Sequence, residues 1–288
     1  MKAIKPVNKH RNLLPITCMV GPTGLWLLFF LLFPLAYVFV ISVMTRSFYG
    51  GVQWVFSLES YQSLVDSKYL AIIWRSIVMA FQTSVICLIV AYPFAYLLSK
   101  MRPVMKGFCI LFVMLPFWIN GLIRLDGWAN IIRDSGLINT ILMRLGIISR
   151  PITMLKTNGA VLFGMVYTFL PYMILPLQTS LSKIDPSLIE ASHDLGAGKF
   201  RTFVRVIFPL TLPGIFSGTI QVFIPSLGAF YIADMMGDNK PFLGNLIKNL
   251  FQGDRNWPAG AALSVILILF TLAALKLYSK IGNMDDLA

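Results

Sequence analysis

Acidic residues are scarce in this chain: 12 Asp and Glu stand against 24 Lys and Arg in 288 residues, and only 12% of positions carry charge at all. Two histidines, His10 and His193, and three cysteines, Cys18, Cys87 and Cys109, complete a thin inventory of reactive groups. The cysteines lie far apart, in or beside apolar segments, so neither a disulfide framework nor a zinc knuckle is suggested. No histidine, cysteine and carboxylate fall together at ligand spacing, which argues against metal chemistry. A phosphate loop of the form G-x-x-x-x-G-K-S/T is missing, so the chain is not expected to bind and hydrolyse ATP itself. No pairing of Ser with His, Cys with His, or H-E-x-x-H appears, which leaves an intramembrane enzyme without support. Solenoid repeats, low-complexity tracts and a soluble domain are absent too.

What is abundant is apolar length. With 57% hydrophobic residues and a mean hydropathy of +0.76, the composition is that of an integral membrane protein. The net charge of +12 would suggest nucleic acid in a soluble protein. Here the bases cluster at the ends of apolar runs, where they set topology, and nucleic-acid binding is discounted. The expected fold is all-α, with six transmembrane helices over residues 16–44, 72–98, 107–127, 158–181, 209–232 and 259–278 in one domain. Lys2, Lys5, Lys9 and Arg11 before the first span, and Lys100, Arg102 and Lys106 in the short second loop, put both termini on the cytoplasmic side. Arg133, Arg144, Arg150 and Lys156 count against this topology, but long outer loops obey the charge rule less strictly. Prolines are expected to interrupt the spans: Pro22 and Pro34 bend the first, Pro171 and Pro176 break the fourth, and the fifth, with Pro209, Pro213 and Pro225, is the least regular. Gly50-Gly51 predicts a turn, Ser57 caps a short helix, and Leu137, Ile141, Leu142 and Leu145 predict a helix on the outer surface.

The longest charged interruption between two membrane-grade runs is residues 183–208. Asp185 before Pro186 is a good helix start, because the carboxylate accepts orphan amides and Pro tolerates the first helical position. Leu188, Ala191, Ser192 and Leu195 share one helical face, Gly196 to Gly198 break the helix, and Phe200, Phe203, Val204 and Ile207 define the face of a second one. The product is helix, glycine bend, helix. Glu190 and Asp194 are like charges at i, i+4, mildly destabilising unless a cation answers them, and none lies in that first helix. An interfacial linker and a docking element both remain open on these grounds.

Glu190-Ala191-Ser192, three residues, Gly196, then Val206-Ile207-Phe208-Pro209, resembles the EAA loop of bacterial ABC importer permeases. The spacing fits throughout, with Ser192, Val206 and Phe208 as mild departures. Leu115 to Arg124 (LPFWINGLIR), Trp257 to Ala262 (WPAGAA) and the run around Met235-Met236-Gly237 resemble the polyamine branch of that family, the PotB type for spermidine and putrescine. Asp126 stands beyond Arg124 where this branch often carries Tyr. The resemblance implies a cytoplasmic EAA coupling helix, with Glu190, Ala191, Asp194, Gly196 and Arg201 meeting a cleft on a cytoplasmic ATPase homodimer. It further implies a second permease of PotC type, a periplasmic polyamine-binding protein, and an inner-membrane location among lipid. ATP and Mg would belong to the ATPase, leaving no cofactor on this chain. Permeation of another small solute is the alternative. A secondary transporter working alone would be expected to carry inverted repeats and midplane carboxylates, and neither is visible. A receptor or scaffold would bring a signalling domain that the short tails exclude.

The translocation path is expected along Gln221, Pro225, Gly228, Tyr231 and Asp234, with Asn120 and Arg124 contributing. Pro225 cannot donate its amide to the Gln221 carbonyl, and irregular backbone at membrane depth is tolerated only where it is buried in protein or lines a watered cavity. Aromatic faces and carboxylates suit a polyammonium ion. The alternative for this segment is a packing kink against the sister permease. Arg124 and Asp126, at i, i+2, do not face each other, so each is expected to find its own partner.

Overall fold

The computed structural model describes residues 21–238 and 240–282. The N-terminal bases, His10, Cys18 and the first residues of the opening span lie outside the described residues. The chain divides into two units, one containing residues up to Leu64 with Leu250–Leu267, the other Val65–Asn249 with residues from Ile268 on.

In the first unit, helix α1 (Gly21–Ser42) leads into an antiparallel hairpin of β1 (Met44–Arg46) and β2 (Val52–Phe56), with Arg46 opposite Val52. The Gly50-Gly51 turn forms as expected, both residues at positive φ (+89° and +85°). The Arg46 guanidinium donates to the Asp254 carbonyl at 2.8 Å, and the Gly51 amide to that of Arg255 at 2.8 Å, so the hairpin is tied to the loop before α12 (Trp257–Gly282). Ser57 Oγ accepts the Glu59 amide at 3.1 Å, starting the short α2 (Glu59–Ser63).

The second unit contains α3 (Ser67–Ser99), α4 (Pro103–Met114), α5 (Gly121–Ile132), α6 (Leu137–Arg144), α7 (Asn158–Ser182), α8 (Pro186–Asp194), α9 (Lys199–Gly228) and α10 (Phe230–Met236). It also holds most of α11 (Leu243–Gln252). Helices α3, α7 and α9 pack on one another around Ala91, Ala95, Met165, Met173, Leu177 and Val222, all buried. Close approach of α9 to α7 depends on Gly214 and Gly218, four residues apart on one face. A Cβ at Gly214 would lie 2.5 Å from Ser180 Oγ, and one at Gly218 2.6 Å from Met173 Sδ. Small residues at this spacing are how membrane helices gain van der Waals contact where lipid removes the hydrophobic drive. Buried hydroxyls bond within their own helix, Thr83 to the Met79 carbonyl at 2.8 Å and Ser84 to that of Ala80 at 2.9 Å, which satisfies them where water is absent.

Five described helices are long and apolar enough to cross a membrane, and a bent pair makes a sixth crossing if it counts as one span. That pair corrects the expected third span: instead of one helix over 107–127, the segments Pro103–Trp118 and Gly121–Arg144 meet at 93°. The break pairs a proline with a fresh start. Pro116 sits in a 3₁₀ turn (Leu115–Trp118), Ile119 is extended, and the Asn120 side chain accepts the Leu122 amide at 2.8 Å to cap α5.

Prolines without such a cap are carried. Helix α7 runs unbroken through Pro171 and Pro176, and α9 through Pro213 and Pro225, so the fourth and fifth spans are more regular than expected. Where the helix does adjust, it widens by one residue ahead of the proline. The Phe33 amide reaches back to the Leu28 carbonyl just before Pro34, and the Phe208 amide to that of Phe203 just before Pro209. A wider π-type turn relieves the clash of the proline ring with the carbonyl four residues back, at the cost of one α-type bond.

Candidate functional site

At the C-terminal end of α7 the chain leaves the apolar layer through Asp185, whose Oδ1 accepts the Ser187 amide at 2.9 Å to cap α8. Hydrogen bonds from Ser187, its backbone amide foremost, hold the Asp185 carboxyl below the usual carboxylate range. Helix α8 ends in a Schellman motif: Ala197 N donates to the Ser192 carbonyl at 3.0 Å and Gly196 N to that of His193 at 2.9 Å. Gly196 lies at φ +79°, so the expected bend is present in the left-handed region that penalises a side chain. Ser192 Oγ and Thr202 Oγ1, 2.9 Å apart, join α8 to the first turn of α9. The hydroxyl where the EAA pattern has a second Ala therefore makes a specific bond. Further along, Tyr92 of α3 shares a hydrogen bond with Thr211 at 2.9 Å, and its ring packs edge-on against Phe203 at 5.6 Å. Helix, bend and span are thus joined by side chains as well as by backbone.

The apolar face of this stretch differs from expectation. The chain packs Ile184, Ile189, Phe203 and Ile207 inward, while Leu195 is 89% and Phe200 81% exposed. Leu188 and Ala191 are exposed as well. The helical periodicity identified one stripe, but two overlap, and the inward one is centred a residue away. Glu190, Asp194 and Arg201 are all exposed, and among the described residues none of them is in an ion pair.

Midway along α7 a second constellation forms. The break after Trp118 turns α5 back so that Arg124 lies 4.4 Å over the Phe117 ring and 5.7 Å from that of Tyr167 on α7. Tyr172 meets Phe117 edge-on at 5.9 Å, and Tyr231 of α10 is within electrostatic reach of both Arg124 and Tyr172. Arg124 Nε and Nη1 are buried without a hydrogen-bond partner. Asp126 instead accepts from Asn130 at 3.1 Å, so the two neighbours do find separate surroundings. Gly164 allows this crossing, since a Cβ there would strike Met236 Sδ at 2.6 Å and Ile232 Cγ2 at 2.9 Å.

Not every residue expected on the path is free for it. Asp234 is paired with Lys248 Nζ at 2.6 Å and accepts from Asn245 Nδ2 at 2.5 Å, so its carboxylate is already answered within the chain. Asn120 uses its amide oxygen as the α5 cap. Gln221 is exposed, and its amide donates to Ser217 at 3.2 Å. It lines a cavity of about 420 Å³ with Thr179, Lys183 and Ser217 between α7 and α9. Pro225 and Gly228 are exposed, but the backbone breaks at Ala229 (φ −75°, ψ 62°), four residues past the proline. The signal missed in the sequence is Phe117, Tyr167 and Tyr172, aromatic residues ordinary in a membrane span until the bend gathers them.

A bundle of apolar helices interrupted by an exposed helix, glycine bend and helix defines a multi-pass membrane permease. Residues 84–279 match the family described as binding-protein-dependent transport system inner membrane component, and the chain belongs to that family. It is 40% identical over 260 residues to the spermidine/putrescine transport system permease protein PotB of Haemophilus influenzae, covering 90% of this chain and 91% of that protein. It is 37% identical over 292 residues to the protein of the same name from Salmonella typhimurium, covering 98% of this chain and 100% of that one. Among solved structures, a bacterial ABC transporter importing the acidic polysaccharide alginate matches with a TM-score of 0.74 at 15% identity, over 92% of this chain and 95% of that one. The methionine ABC transporter in inward-facing form matches with a TM-score of 0.53 at 17% identity, over 74% and 94%. The fold is therefore that of ABC importer permeases, and the reading as a stand-alone secondary transporter falls away.

Proposed function

We propose that this chain is one permease subunit of an ATP-driven importer for polyamines of the spermidine and putrescine class. The substrate reading is supported by relatives that carry those substrates in their names and align over nearly the whole chain. In this reading residues 183–208 face the cytoplasm, both termini lie on that side, and an ATPase pair holding ATP and Mg docks there. A second permease completes the pore, and a periplasmic binding protein delivers substrate.

The observation that carries the coupling role is the exposed stripe of Leu188, Leu195 and Phe200 beside Glu190 and Asp194, neither acid in an ion pair among the described residues. Apolar side chains of that size beside unpaired carboxylates describe an interface awaiting its partner. The Schellman turn and the Ser192–Thr202 bond make α8 move with α9, so closure of the ATPase pair is delivered to the spans as a rigid displacement between inward-open and outward-open states. The path runs past Arg124, Tyr231 and Gly228 to Gln221, where the carbonyl freed by Pro225 and the cavity between α7 and α9 offer polar surface.

A second reading, import of another small solute carrying negative charge, is favoured by Arg124, a cation among aromatic residues with no ion pair among the described residues. Reconstituted complex in vesicles, loaded with ATP and supplied with binding protein, separates the two. Uptake of labelled spermidine competed by putrescine is the expected result, whereas uptake of an organic anion with no polyamine uptake overturns it.

A further inference from the structure

A cation seated among aromatic rings inside an importer of cations needs an explanation. Arg124 is held by ring faces: Phe117 at 4.4 Å from the turn before the bend and Tyr167 at 5.7 Å from α7. Tyr172 buttresses Phe117 at 5.9 Å, and Tyr231 on α10 lies near enough to feel the charge. Among the described residues no carboxylate pairs with it. Asp234, the nearest acid along α10 from Tyr231, is held by Lys248, Asp238 by Lys240 at 2.9 Å, and Asp126 by Asn130. Two of the three guanidinium nitrogens are buried without an acceptor. A structural arginine inside a membrane protein normally has its N–H groups satisfied by carboxylates or carbonyls. Here the interaction left is attraction between positive charge and π faces, and an alkylammonium group is held by the same faces in the same way.

We propose that Phe117, Tyr167, Tyr172 and Tyr231 form an ammonium-binding site on the transport path, and that Arg124 is its resting occupant, displaced when a substrate ammonium enters. The guanidinium is a tethered competitor. It weakens the binding of a single ammonium and yields more readily to a polyammonium, whose further charges engage groups beyond this cluster. The unused N–H groups then have somewhere to go, since the displaced side chain reaches water or an acceptor on a neighbouring subunit. The inference rests on the polyamine reading for the identity of the ammonium but not for the site itself.

The test measures equilibrium binding of labelled spermidine, and separately of butylammonium, to the purified complex of both permeases and the ATPase pair without binding protein. Arg124→Gln removes the competitor and is expected to tighten both by about tenfold, the scale of one desolvated cation–π contact. Arg124→Lys keeps a competing cation and should bind as the parent does. Phe117→Leu introduced into Arg124→Gln, where no tethered cation loses the same face, removes the principal face and should weaken both ligands. Opposite signs for Arg124→Gln and Phe117→Leu are what a merely structural role does not produce, because packing damage lowers both. Unchanged or weaker binding in an assembled Arg124→Gln complex overturns the proposal. So does loss of the second permease from that complex, which makes Arg124 an interface residue. If Arg124→Gln does not accumulate, Arg124→Met takes its place in both measurements, and unchanged or weaker binding in it overturns the site. Tighter butylammonium binding in Arg124→Gln, alongside a parent complex that imports no polyamine, leaves the site standing and removes only the polyamine reading.

Discussion

The two ends of α7 treat charge in opposite ways. Beyond its C-terminus, Glu190, Asp194 and Arg201 stand exposed with no ion pair among the described residues, beside Leu195 and Phe200 at 89% and 81% exposure. Past the break that follows α9, Asp234 is bound by Lys248 and Asn245, and Asp238 by Lys240, whose hydrogen bond holds the Asp238 carboxyl below its ordinary range. Like charges at i, i+4 cost a helix a few tenths of a kcal/mol when unanswered, so the chain tolerates a small instability at one end that it removes at the other. The difference supports the docking face proposed above, in which the charge left open on this chain is completed by another protein.

The sharpest way to break this contrast is to reverse the open charge. Glu190→Lys should cut copurification of the ATPase by about tenfold or more, because a desolvated carboxylate in a docking cleft meets a partner of fixed sign. The permease itself should still reach the membrane. Normal substrate-stimulated ATP hydrolysis in this variant would show that the docking assignment is wrong. Next in size is the bend. Gly196→Ala should impair transport several-fold and Gly196→Val more, since a β-branched residue at φ +79° is the poorer fit. Equal activity for the two would argue against a backbone held in that region. Smaller again is Ser192→Ala, which removes the bond to Thr202 and, at a net worth of about 1 kcal/mol, should loosen α8 from α9. ATP hydrolysis per molecule imported should rise about twofold to fivefold while ATPase binding holds; an unchanged ratio would mean the backbone turn alone carries the motion.

Much of this was legible in advance because membrane spans and helix caps write themselves in local sequence. Asp185-Pro186, the Gly196 bend and the Gly50-Gly51 turn all appear where residue chemistry placed them. The misreadings of the spans share one cause. A proline weighed by itself misleads here, since α7 and α9 carry five prolines unbroken and the chain turns by 93° at Pro116, where Asn120 supplies a cap for the next helix. A proline removes one bond; a break needs a second residue that stabilises the new start. The hairpin pairing of 44–46 with 52–56 and the ring cluster around Arg124 were hidden for another reason, being products of tertiary placement with no period to betray them. The exposed face of α8 was misassigned by a residue because two apolar stripes overlap there, one for the chain and one for its surroundings.

The smallest expected effect belongs to Asp234, and it tests the finished end of the contrast. Its pair with Lys248 is 2.6 Å long, yet the two side chains are 39% and 36% exposed, so water screens most of the attraction and the pair contributes about 0.5 kcal/mol or less. Asp234→Asn and Lys248→Met should each lower thermal stability only slightly, and the double variant should show a coupling near the error of measurement. Uptake should change less than about twofold, because the carboxylate is engaged by Lys248 and Asn245 and so is poorly placed to greet a substrate cation. A loss of uptake by Asp234→Asn that Lys248→Met does not share would point the other way. It would mean that the carboxylate leaves Lys248 during transport to meet the passing ammonium, and that this end is less finished than its geometry implies.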